Sequence, residues 1–154
     1  MPQTIALRAM PASPLAQVCR LDALQDRAFI ELLRGYRCHG GLARESELPG
    51  RCGTLPQAGG EGTSHAPWCR PIRFEWNGMH WLPLFQFEPG TFTLRDAPRR
   101  VIEELSPDFD GWSLATWFAE ANCWLAGDMP VQRLDADLPA VLEAARADRF
   151  IAAG

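Results

Sequence analysis

The chain has no lysine: all 15 basic side chains among its 154 residues are arginine. Guanidinium groups favour planar, two-pronged contacts with carboxylates and phosphates, but a lysine-free chain is first of all what a GC-rich coding sequence yields. Long apolar runs are missing too. No stretch approaches the ~18 residues of a membrane span, and the prolines of MPQTIALRAMPASPLAQ interrupt any signal-peptide core. Basic side chains are outnumbered by 19 acidic ones, for a net charge of −4, so no global field draws nucleic acid. There are no internal repeats. Five cysteines, an odd number at irregular spacing, fit a reducing cytoplasm where thiols stay free.

What is there is ordinary globular material, 47% hydrophobic and 22% charged. A chain of about 150 residues buries roughly 70% of its unfolded surface, enough for one domain. Three segments are expected. Residues 1–48 read as helical: a first helix capped by Asp22 or Asp26, with an apolar stripe of Phe29, Ile30, Leu32, Leu33 and Tyr36. It stops at Gly40-Gly41, and LARESEL follows as a short second helix. Residues 49–70, rich in glycine and proline, carry no period and read as a loop or linker. Residues 71–154 open with IRFEW-NG-MHWLPLFQF, two strand-like runs around Asn77-Gly78, the pair a type I′ hairpin turn demands. Pro83 makes the second strand an edge or a bulge there. Helices follow over Ala97–Leu105, after Asp110, and after Asp137 with Pro139 in its first turn. The expected fold is mainly α with one β-hairpin.

Residue spacing bears on several chemistries. Cys38, His39, Cys52, His65 and Cys69 cluster in one region and include the thiolate and imidazole types that zinc prefers. No tight C-x2-C knuckle is present to nucleate a site, so neither metal nor cofactor is expected. Cys19 and Cys123 read as small core residues. Cys69 with His65 is a conceivable thiolate pair, but it falls in the least regular segment; no G-x-S-x-G elbow and no phosphate-cradling loop occur. Glu103-Glu104 point in different directions from one helix and read as a solvated face. The expectation is a protein without enzymatic activity. DNA binding is the alternative. Helix, Gly-Gly turn and short helix resemble the start of a helix-turn-helix, and Arg34, Arg37, Arg44, Arg51, Arg70 and Arg73 make this half locally basic. A recognition helix must follow, yet PGRCGTLPQAGG stands in its place, so the motif is truncated.

The stretch WFAEANCWLAGDMPVQRL carries a more specific signal. W-F-x3-N-x2-L-x-G-x2-P-x3-L, followed by a helix with Val141 and Leu142, resembles the toxin-binding domain of Xre/MbcA/ParS-type antitoxins. The matching positions are Trp117, Asn122, Leu125, Gly127, Pro130, Leu134 and Val141. Ala121 departs from the proline usual before the asparagine. The resemblance covers about the last sixty residues. It implies a protein that binds a NAD-consuming RES-type toxin and blocks it sterically with its terminal helix, rather than a catalyst. It also implies an N-terminal helix-turn-helix for autorepression, which this chain has in degenerate form at best. A homodimer is the other partner such a domain suggests. The tail then supplies Arg146, Arg149 and Phe150 as candidate contact residues, since aromatics and arginines are over-represented at binding hot spots, and an arginine pair can face an anionic pocket.

Overall fold

In the computed structural model, which describes residues 14–48 and 70–154, the chain enters on α1, Pro14–Tyr36. A proline in the first turn gives up no hydrogen bond, because N–H groups there have no helical partner. Neither glycine nor proline then interrupts the run until Gly35. The helix therefore starts about two turns before Asp22 and about three before Asp26, the residues expected to cap it. Phe29, Leu32 and Tyr36 turn inward and are buried, whereas Ile30 and Leu33 of the same apolar set face outward.

Gly40 and Gly41 follow in left-handed conformations, φ +88° and +82°, and reverse the chain. What they deliver is not the expected second helix. Leu42–Arg44 is a strand, β1, and Glu45–Glu47 a single 3-10 turn. LARESEL consists of good helix formers, but propensity amounts to only tenths of a kcal/mol per residue. Ladder pairing and the packing of Leu42 against the core outweigh it. The helix-turn-helix-like segment is thus corrected to a helix and a strand, and among the described residues nothing stands where a DNA-reading helix pair was sought. Residues 49–69 lie outside the described residues.

The hairpin forms as the sequence dictates. β2, Phe74–Trp76, and β3, Met79–Pro83, flank Asn77 at φ +51° and Gly78 at φ +69°, both in the region a type I′ turn requires. The sheet is antiparallel in the order β1-β3-β2. β3 is central in the sheet, yet at Pro83 it is the edge the proline was expected to need: β2 pairing ends at Phe74 opposite Trp81, leaving Pro83 opposite Leu42 of β1 alone. Phe29 of α1 lies flat on Trp76, ring centres 3.9 Å apart, and edge-on to Trp81 at 4.9 Å and to Phe74 at 6.5 Å, so the N-terminal helix and the hairpin share an aromatic cluster.

Beyond β3 a 3-10 turn, Leu84–Gln86, buries Gln86 completely. A buried amide must be hydrogen-bonded, and this one replaces a missing strand. Its Oε1 accepts from the Ile72 N–H at 2.7 Å; its Nε2 donates to the Ile72 carbonyl at 3.0 Å and to the Pro83 carbonyl at 2.9 Å. The approach to β2 is fixed by that side chain.

Four further α-helices follow among the described residues: α2, Asp96–Leu105; α3, Gly111–Ala119; α4, Pro130–Arg133; and α5, Leu138–Ala152. The described chain is mainly α, with a hairpin and one added strand. Asp110 and Asp137 cap α3 and α5 as expected, accepting from the backbone N–H of Ser113 at 2.7 Å and Ala140 at 3.2 Å. Val101, Ile102 and Leu105 of α2, Leu114, Ala115 and Phe118 of α3, and Val141, Leu142, Ala144 and Ala145 of α5 meet in one core with Tyr36 and Phe85. Small residues let helices approach closely: a Cβ on Gly35 of α1 would lie 2.9 Å from that of Ala119 in α3. Tyr36 ties the same two helices, its hydroxyl donating to the Ala115 carbonyl at 2.6 Å. Burial raises the Tyr36 pKa well above its ordinary value.

Candidate functional site

The corner between α3 and α4 explains the recurring residues of WFAEANCWLAGDMP one at a time. α3 ends at Ala119, and Glu120 already has extended backbone. Asn122 lies beyond that helix and opens the next turn, Cys123–Leu125, its side chain accepting the Trp124 N–H at 2.9 Å. The loop closes on itself through backbone bonds from Asn122 N–H to the Asp128 carbonyl at 3.1 Å and from Gly127 N–H to the Asn122 carbonyl at 3.0 Å. This circuit needs two successive left-handed residues, Ala126 at φ +57° and Gly127 at φ +89°. Open space surrounds Gly127, so glycine is there for its backbone and not for close packing. Pro130, at the start of α4, fixes the exit direction.

One carboxylate holds the corner to α5. Oδ2 of Asp148 accepts from the Trp117 indole N–H at 2.8 Å and from the Asn122 amide at 2.6 Å. Its Oδ1 accepts from the Trp124 indole N–H at 2.9 Å. Three donors converge on one side chain, and each bond has a charged acceptor, a class that contributes about 1.5–3 kcal/mol when shielded from water. Asn122 is 8% exposed, so its amide has little water to turn to. Spacing alone passed over Asp148, which reads as one more charge in RADRF. A signal existed: Asp148 falls seven residues after Val141, on the buried stripe of α5, where a carboxylate must find donors.

The residues carrying the antitoxin resemblance are thereby brought together, but mostly as scaffold. Leu125, Leu134, Val141 and Pro130 are buried, Trp117 is half-buried against Phe118, ring centres 5.1 Å apart, and Asn122 is inside. None of the buried five offers a surface to another protein. The exposed members are Gly127 and, on the tail, Arg146 and Phe150.

The two arginines are engaged within the chain. Arg149 reaches Glu104 and Asp108, both at 3.0 Å, and Arg146 reaches Glu104 at 3.5 Å. The hydrogen bonds Arg149 donates to Asp108 and then to Glu104 raise its pKa further above its ordinary value. Glu104 is therefore a clamp between α2 and α5 and not part of a solvated face. Beyond this clamp, Phe150 is 82% and Ile151 67% exposed. At the corner Trp124 is 56% exposed, although its indole is hydrogen-bonded.

Two hollows border the described surface. One of about 510 Å³ lies between α1 and α3, over Leu32, Gly35, Trp112, Ala119 and Met129. The other, about 450 Å³, includes Cys38, His39, Leu84, Glu88, Arg95 and Asp135. Arg95 pairs with Asp135 there. Among the described residues no three metal-ligating side chains gather; Cys52, His65 and Cys69 lie outside them. Cys123, expected in the core, is exposed because it sits at the open corner. No helix among the described residues is long and apolar enough to cross a membrane. Compared with family models, curated proteins and solved structures, the chain matches none.

Proposed function

We propose that the chain is an antitoxin-like protein without catalytic activity, which binds a NAD-consuming toxin of the RES type and blocks it sterically. The observation that carries this reading is the build of the carboxyl-terminal end. A corner with a hydrogen-bonded, partly buried scaffold holds α5 by its Asp148 side, and the Arg149–Glu104–Asp108 cluster holds it by another. The last turn then runs past these ties with Phe150 and Ile151 bare. A rigid support presenting unpartnered aromatic and aliphatic side chains is what a plug requires, since little conformational freedom is left to lose on docking. The motif positions from Trp117 to Val141 support the reading as the scaffold that aims this helix. The alternative of a DNA-binding regulator calls for a groove-reading helix, and residues 42–44 are a strand.

The test is co-expression with a RES-type toxin encoded beside this gene, with growth and cellular NAD as readouts. The full chain is expected to restore both. Removal of residues 150–154 keeps every ion pair of Arg146 and Arg149 and is expected to abolish the rescue while leaving the melting temperature nearly unchanged. Full rescue by the shortened chain would refute the plug.

A further inference from the structure

We propose that Trp124 is a second, independent anchor for the protein partner, that Asp148 is its positioning residue, and that the partner surface seating it is an apolar cleft with a basic rim. The inference rests on the toxin-binding reading above and adds the site, polarity and chemistry of a contact away from the tail.

The geometry points there because Trp124 combines two properties that seldom coincide. More than half of its surface is open, at a hydrophobic cost that folding alone gives no reason to accept. Yet it is held at both ends: the backbone N–H by the Asn122 side chain at 2.9 Å and the indole N–H by Asp148 Oδ1 at 2.9 Å. An exposed tryptophan in a chain serving only its own fold would be free to swing. One fixed by a carboxylate that also fastens Trp117 and Asn122 has little rotamer freedom left to lose on binding, which is the usual character of a hot spot.

Charge sets the polarity. Residues 120–132 contain two carboxylates, Glu120 and Asp128, both exposed, and no basic side chain. Arg133 pairs with Asp128 at 3.6 Å, and the arginines of α5 are engaged by Glu104 and Asp108. Among the described residues no arginine pairs with Glu120 or with Asp148, the carboxylate that holds the Trp124 indole, and a tryptophan beside these two suits a partner whose pocket is edged with arginine or lysine. This reverses the polarity expected of the tail, where Arg146 and Arg149 were candidates to meet an acidic rim.

The experiment uses the full chain and the purified toxin, made catalytically inactive so that it can be produced, in a calorimetric titration at two salt concentrations. W124A is expected to weaken binding about 30-fold or more, the size of a hot-spot loss, and E120K several-fold, with a smaller salt dependence than the wild type. Thermal melting run in parallel separates lost contact from lost fold. If W124A does not fold, the Trp124 indole N–H resonance of the wild-type chain serves instead: a shift on saturation with toxin supports the anchor, and an unmoved resonance overturns it. Binding by folded W124A within threefold of wild type would overturn the anchor while leaving the toxin-binding reading intact. A wild-type chain that does not bind would bring down both.

Discussion

Replacing Asp148 by alanine probes the corner most directly, because one carboxylate satisfies three donors. The Asn122 amide, 8% exposed and bonded at 2.6 Å, loses its acceptor with almost no water at hand; leaving such a group unsatisfied costs about 1–3 kcal/mol. The Trp117 indole, half-buried and bonded at 2.8 Å, adds about 1 kcal/mol. Trp124 is open to solvent, so water replaces most of its bond and the contribution to folding is small. The total, about 3 kcal/mol, is partly offset by no longer desolvating the carboxylate. In a protein of this length that corresponds to roughly 6–12 °C in melting temperature. D148N keeps the volume and can place its carbonyl oxygen where Oδ2 stands, still accepting from Trp117 and Asn122 while losing the charge and the Trp124 bond, so it is expected to lie nearer wild type than D148A. Glu143→Ala, exposed on the same helix, is the control and should stay within about 0.5 kcal/mol. Thermal and urea melts followed by circular dichroism give the answer. A D148A melting temperature within about 2 °C of wild type would refute the idea that this carboxylate fastens the corner.

Two further outcomes follow from local geometry. A Cβ at Gly111, the first residue of α3, would stand 1.8 Å from the Arg73 carbonyl oxygen and 2.9 Å from its carbon, so G111A must push α3 off the strand entry at a cost of about 3 kcal/mol or more. G127A meets open space and only backbone strain, about 1 kcal/mol; soluble yield and urea midpoints should rank them in that order, and a near-neutral G111A would contradict the packing. Asp110 has a lowered pKa, through its hydrogen bond from the Ser113 side chain first and then from the Ser113 backbone N–H. A depressed folded pKa contributes stability that is fully present above the unfolded value of about 3.9 and lost as pH falls through the lower folded one. D110A should therefore trail wild type by about 1 kcal/mol at pH 7, with the gap narrowing toward pH 2.5; a constant gap would show that ionisation of the cap is irrelevant.

The outcomes at LARESEL and Asn-Gly separate what was legible from what was not. Asn77-Gly78 specified its hairpin because both turn residues must sit at positive φ, a local demand that few residues meet cheaply. Asp110 and Asp137 marked helix starts for the same kind of reason: a cap acts on the N–H groups of its own first turn. LARESEL misled because its helix propensity is weak beside a ladder supplied by β3, forty residues away in sequence. Ile30 and Leu33 were indistinguishable from Phe29 and Leu32 in the apolar pattern, since only the placement of the sheet decides which side of α1 is covered. Cys123 read as core because the corner that exposes it arises from backbone bonds spanning residues 122–128.

The candidate site divides along the same line. The spacing of Trp117, Asn122, Gly127 and Pro130 was visible in the sequence, being a record of local turn chemistry. That these residues support a surface instead of forming one, that Arg146 and Arg149 are spent on Glu104 and Asp108, and that Asp148 gathers three donors were decided by the crossing of α5 over α2 and α3. A sequence by itself determines what each backbone segment can do within a few residues, through φ preferences, caps and apolar period. Only the tertiary structure decides which polar groups lose their water, because that depends on which distant segment arrives to cover them.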